Sequence, residues 1–275
     1  MGREVVIICD GAFPKTEYPR YLIRTADFTI CCDGALRKFI RNSKAIFGDD
    51  RLPDKVVGDM DSLPASLKAR YSDIIVQIDE QEHNDQTKAF RWALENLSDI
   101  STITIIGATG QREDHTIGNI SLLMEYARIF DLEGMGINVE MVSDHATMFA
   151  VRDTFEMDCG EGRRVSIFSP DNSLRIKSEG LEWPTDEVVF DNCHVINTVI
   201  EGSDHAGYFV GVFRGYDHNE VLRFKNSCSC TPSPDAAPLH SNFVEGMECI
   251  WLEKNDYSAY NAWLGAEECY RGTVL

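Results

Sequence analysis

No stretch of this 275-residue chain is apolar for long enough to span a membrane as a helix, and its first apolar run, residues 5–9, stops at Asp10. That run is too short for the core of a signal peptide, so no secretory leader is expected. Basic residues are scarce beside acids, 26 Lys and Arg against 45 Asp and Glu, and they form no cluster. At a formal net charge of −19 the chain should repel nucleic acid and anionic membranes, and a phosphate-bearing ligand would need bridging cations. The nine cysteines are an odd, scattered set, and Cys9, Cys31 and Cys32 fall inside apolar runs, where thiols act as small hydrophobes in a reducing cell. A cytoplasmic protein is the expectation. The Gly-rich dinucleotide fingerprint and the Walker sequence are both missing, as are internal repeats and coiled-coil heptads.

What is present is an ordinary globular composition, 43% hydrophobic and 26% charged, in a chain long enough for two domains. Near-continuous apolar runs at residues 5–9, 28–32, 55–58, 74–78 and 102–106 have strand length. Helical spacing separates them: Tyr18, Tyr21, Leu22 and Ala26, then Leu36, Phe39 and Ile40, then residues 63–71, and a strong amphipathic segment over 85–97. This alternation predicts an α/β, doubly wound, mostly parallel sheet over residues 1–140. From about Val139 the rhythm shifts to short alternating segments, 147–151, 155–157, 164–168, 174–177, 187–190 and 208–213. They predict a smaller antiparallel β-sandwich over 141–225 with Trp183 in its core. Residues 226–275 form an extension of unknown role, and the Cys228 and Cys230 pair in it lacks further ligands at zinc spacing.

In a doubly wound sheet, ligands bind outside the carboxyl ends of the strands. Asp10, Asp33, Asp59, Asp61 and Asp79 all follow strand ends and should share one rim. The stretch 56–62, Val-Val-Gly-Asp-Met-Asp-Ser, sets two carboxylates one residue apart on the loop leaving a strand, where both can grip a hard cation such as Mg²⁺. The plainer alternative is a solvated turn. At residues 84–88, Asn-Asp-Gln-Thr-Lys, Asn84 can cap a helix. Asp85 and Lys88 then share one face, an acid beside a cation. At residues 107–115, Gly-Ala-Thr-Gly-Gln-Arg-Glu-Asp-His, Gly107 and Gly110 allow phosphate to approach backbone N–H groups at a helix start. Arg112 offers a planar fork and Asp114 another carboxylate, while His115 and Asn119 lie on one helix face. Taken alone, His115 reads as a structural residue sooner than as a catalytic one.

In this order, the Asp33-Gly-Ala turn and the three motifs at 58–62, 84–88 and 107–119 closely resemble the thiamine pyrophosphokinase family. The resemblance implies a nucleotide-binding α/β domain followed by a thiamine-binding β-sandwich, and a homodimer with active sites at the subunit interface. It also implies transfer of a pyrophosphoryl group from ATP to thiamine, with Mg²⁺, giving thiamine diphosphate and AMP. Asp59, Asp61, Asp85 and Asp114 would hold the metal, with Asp61, Asp59 and Asp85 as the catalytic group. Asp33, Lys88, Gly107, Gly110, Arg112, Asp114, His115 and Asn119 would contact nucleotide. The sequence departs from the family at Gln111, commonly Gly, and at residues 193–198, where Cys193, His194, Asn197 and Thr198 stand in place of an expected tryptophan pair. Two other readings of the same acids are a Mg- or Mn-dependent nucleotide or nucleotide-sugar transferase and a non-catalytic nucleotide-binding relative.

Overall fold

Four apolar runs become strands buried from both sides by helices that the intervening segments form, and a fifth, Ile75–Gln77, pairs at the end of the strand order and is only partly buried. The computed structural model describes residues 2–158, 163–169, 174–186, 196–199, 205–212 and 221–225, and the chain divides into two compact units, Met1–Ala150 and Val151–Leu275. In the first unit, β1 (Arg3–Ile8), β2 (Phe28–Cys32), β3 (Lys55–Gly58), β4 (Ile75–Gln77) and β5 (Ile100–Ile106) alternate with α1 (Glu17–Thr25), α2 (Ala35–Phe47), α3 (Ala65–Arg70) and α4 (Asp85–Asn96). After β5 come α5 (Glu113–Ile129), the short α6 (Leu132–Met135), β6 (Asn138–Val142) and β7 (Ala146–Val151). The spatial order is β7-β6-β5-β1-β2-β3-β4, parallel throughout except for β7, which runs antiparallel to β6.

The α/β unit thus continues past residue 140. Residues 138–142 pair with β5 in parallel register, Thr102 opposite Asn138 and Ile106 opposite Val142, so the stretch where the alternation changes still belongs to the first sheet. The chain moves outward from β1 to β4, then α4 carries it back across the sheet to β5 on the other side of β1. This reversal leaves a crevice at the carboxyl ends of β1 and β5. On one face Val6, Ile8, Cys31 and Val56 pack with Ile23 of α1 and Leu36 and Phe39 of α2. On the other face, Phe90 of α4 stacks on Tyr126 of α5 at 4.1 Å.

In the second unit the described strands are β8 (Phe155–Asp158), β9 (Arg163–Phe168), β10 (Lys177–Glu179), β11 (Ile196–Val199), β12 (His205–Val212) and β13 (Val221–Lys225). The expectation for this part was antiparallel. Among the described residues, β9 pairs parallel with β12 and antiparallel with β11, while β13 pairs parallel with both β8 and β10. Trp183 is corrected from core to surface: it lies in a bend after β10 and is 55% exposed, with no strand alternation to turn it inward. The predicted strand 187–190, the residues Cys193 and His194, and the extension 226–275 lie outside the described residues.

Candidate active site

A cleft of about 650 Å³ opens at the switch point of the first sheet. Its walls come from the turn after β1 (Asp10, Gly11), the loop after β3 (Asp59, Asp61, Ser62), residues 81–86 with Lys88, and the loop and first turns of α5 (Ala108, Thr109, Gln111, Arg112, His115, Thr116, Asn119).

The loop after β3 is held by what it buries. Met60 has a positive φ of 66° and is fully buried, so its side chain anchors the loop in the core while Asp59 and Asp61 flank it. The left-handed backbone costs about 1 kcal/mol, which burying the thioether side chain offsets. Gly58 has no Cβ for a reason of space: one built there would meet Asp85 Oδ1 at 2.9 Å and Asp33 Cβ at 3.0 Å. The carboxylates of Asp33 and Asp85 therefore close in over the end of β3.

Carboxylate oxygens of Asp33, Asp59 and Asp61 lie within 4.8 Å of one another. Asp33 is buried and accepts the Ser62 N–H at 2.9 Å through one oxygen, while its other oxygen is buried with no hydrogen-bond partner. Burial raises its pKa to about 6, with Asp85 and Asp61 adding repulsion that the Ser62 N–H only partly offsets. Burial and Asp59 likewise hold Asp85 above the usual carboxylate range. Burial opposes ionisation of Asp59 too, but the Asp61 N–H, Lys88 and Gln81 outweigh it and lower its pKa. Lys88 ties the group together: its buried Nζ is 3.2 Å from Asp59 and 3.5 Å from Asp85. Burial disfavours the ammonium, yet the two carboxylates raise its pKa on balance, so it stays charged. Four acids facing one lysine leave a net negative pocket with unpartnered buried oxygens, a donor set that suits a hard divalent cation.

Asn84 caps α4 as expected, accepting the Thr87 N–H at 3.0 Å. Less expected is the burial of Gln86, Thr87 and Lys88 in the first turn of that helix. Hydrogen bonds account for two of them: Gln86 donates to the Asn119 carbonyl, and Thr87 shares a 2.8 Å bond with the Tyr126 hydroxyl. Asn119, expected to face nucleotide, spends its amide on the fold, donating to the Ala108 carbonyl at 2.7 Å and accepting from Asn84 at 2.9 Å. It thereby joins the starts of α4 and α5 to the loop after β5. In that loop Gly107 and Gly110 have φ of 70° and 83°, conformations that glycine adopts without strain. Ala108, Thr109 and Gln111 line the cleft between and beside them.

Asp114 goes elsewhere. It is exposed, is not among the cleft-lining residues, and holds Arg112 in a two-pronged ion pair at 2.5 and 3.1 Å that lowers its pKa to about 2. His115 is exposed at the cleft edge, and Ile117 in the same helix is 69% exposed. Of the anticipated acidic rim, Asp10, Asp59 and Asp61 line the cleft, whereas Asp79 turns to Gln77 at 2.7 Å. The anchoring Met60 and the Gln81 contact to Asp59 went unread, because nothing local in the sequence marks either residue.

An open parallel sheet with an acidic, cation-flanked cleft at its switch point defines a class, the α/β proteins that hold ligands at the carboxyl ends of their strands. Within that class, residues 19–132 match the model of the thiamin pyrophosphokinase catalytic domain. It is 28% identical over 152 residues to thiamine pyrophosphokinase of Bacillus subtilis, covering 52% of this chain and 64% of that one, a little under two thirds of its length. To thiamine pyrophosphokinase 1 of Oryza sativa it is 26% identical over 217 residues, covering 70% of this chain and 78% of the relative. The crystal structure of Bacillus subtilis thiamine pyrophosphokinase shares the fold, with a TM-score of 0.50 at 21% identity over 74% of this chain and 91% of that chain. Among the described residues no helix is long and apolar enough to cross a membrane.

Proposed function

We propose that the protein is a thiamine pyrophosphokinase, which moves the pyrophosphoryl group of ATP to the hydroxyl of thiamine and releases AMP. The observation that carries this reading is the group of Asp33, Asp59 and Asp61 within 4.8 Å, beside Lys88 and in the same cleft as Arg112, in a chain whose residues 19–132 match the thiamin pyrophosphokinase catalytic-domain model. Asp59, Asp61 and Asp85 hold Mg²⁺, joined by Asp33, whose orphaned oxygen fits a ligand role. Bound there, Mg²⁺ supplies positive charge against the non-bridging phosphate oxygens. Asp114 serves this centre at one remove, by orienting Arg112.

The chain's own groups do the rest. Lys88 and Arg112 face the triphosphate, and the backbone N–H groups between Gly107 and Gly110 receive its oxygens at the start of α5. The thiamine oxygen attacks the β-phosphorus as the bond from that phosphorus to the α-phosphate oxygen breaks, and AMP departs with that oxygen. Asp61 takes the hydroxyl proton, since it is the exposed member of the trio while Asp33 is buried. Asp59, held ionised by Lys88 and the Asp61 N–H, stays in place as a fixed charge.

The second unit provides the thiamine-binding sandwich, for which two separate strand groups are the required material. Two copies form a homodimer with the active sites at the interface, in the cytoplasm. The test is product analysis: purified full-length protein with ATP, Mg²⁺ and thiamine should yield AMP only when all three are present. ADP in place of AMP, or turnover of sugar nucleotides, would reject the reading. ATP binding without turnover would point to a non-catalytic relative.

A further inference from the structure

We infer that Lys38 is a positioning residue for the nucleotide, acting from α2 through the turn after β1; this rests on the proposed function above. The Lys38 ammonium reaches three oxygens: it donates to the carbonyls of Asp10 at 2.6 Å and Gly11 at 2.7 Å, and ion-pairs with Asp10 Oδ1 at 2.7 Å. Two of its three N–H donors are taken by those carbonyls, the Asp10 carboxylate lies against the ammonium, and Lys38 is not among the residues lining the cleft, so it acts through what it holds. It holds the turn that props the phosphate loop. Gly11 N–H bonds the Gly107 carbonyl at 2.7 Å and Ala12 N–H bonds the Thr109 carbonyl at 2.8 Å. The contacts thus run without a gap from α2 on one side of the switch point to the loop that opens α5 on the other.

Charge gives Lys38 a second effect. Asp10 lines the cleft, where Asp59, Asp61 and Asp85 already stand, and a nucleotide brings further negative charge. Lys38, with Arg37 at 3.8 Å, neutralises Asp10 from behind. Without it, Asp10 would confront the phosphates with only the more distant Arg37 against its charge, and the turn carbonyls would lose their donor.

The experiment compares wild type, Lys38→Met, Lys38→Arg and the double variant Lys38→Met with Asp10→Asn. It reads the KM for ATP and for thiamine, kcat, binding of a non-hydrolysable ATP analogue with Mg²⁺, and urea unfolding. Lys38→Met should raise the KM for ATP and the analogue Kd about tenfold, equivalent to about 1.4 kcal/mol, with the KM for thiamine unchanged. The double variant should recover part of the loss by removing the stranded charge, and Lys38→Arg should also recover part. Wild-type analogue affinity in a folded Lys38→Met variant would overturn the inference, as would equal losses toward both substrates. A wild type that binds the analogue yet makes no AMP with thiamine would sink the functional reading instead, and the binding comparison would still decide the role of Lys38.

Discussion

Replacing Asp33 by Asn should make the metal-free protein more stable while destroying its activity. Asp33 is 2% exposed and its carboxyl titrates near 6 in place of 3.8, because folding strips it of water and sets Asp85 and Asp61 beside it. Since the folded pKa is raised, the neutral acid is the form the fold prefers. Below about pH 3.8 both states carry the proton and there is no penalty. As pH rises through 3.8 to 6 the unfolded chain ionises first and stability falls, reaching its full loss above pH 6. A shift of that size corresponds to about 3 kcal/mol, which screening through the solvent-open Asp59 and Asp61 reduces to roughly 1–2 kcal/mol. Asn keeps an oxygen for the Ser62 N–H and drops the charge. Urea unfolding in EDTA should therefore show Asp33→Asn about 1–2 kcal/mol more stable than wild type at pH 8, with the two converging near pH 4. Added Mg²⁺ should stabilise wild type and reverse the ranking at pH 8. A variant that is less stable than wild type at pH 8 without metal, or a gap that does not depend on pH, would refute the burial argument.

Asp61→Asn should fold normally and lose about 10²–10⁴-fold in kcat, the range for a proton acceptor, so near-normal AMP release would remove Asp61 from that role. Lys88→Met leaves Asp59 and Asp85 without their shared cation and should cost about 3 kcal/mol of stability in EDTA, with part restored by Mg²⁺; an unchanged urea midpoint would contradict it. Gly58→Ala sets a methyl against Asp85 and Asp33, and calorimetric titration should show Mg²⁺ affinity lowered about tenfold or more. Asp114→Asn unclamps Arg112 and should raise the KM for ATP several-fold while Mg²⁺ affinity holds, and a matching drop in Mg²⁺ affinity would return Asp114 to the metal.

The α/β alternation was legible in the sequence because it is local: a strand buried on both faces must be apolar throughout, and a helix covering it must be apolar at its own period. The first five strands and four helices follow from that, and so does the Asn84 cap, which needs only an amide side chain at a helix start. The sixth parallel strand escaped because the alternating character of its residues says nothing about pairing; register with β5, not composition, placed residues 138–142 in the first sheet. The site divides the same way. Aspartates could be assigned to strand ends from sequence, but which of them meet is a matter of how distant turns are brought together. Folding moved Asp33 in beside Asp59 and Asp61, turned Asp114 outward to Arg112, and used up the Asn119 amide between two helix starts. A carboxylate's role is set by the charge and solvent around it, and those neighbours come from strands far apart in the chain, so only the assembled fold could decide it.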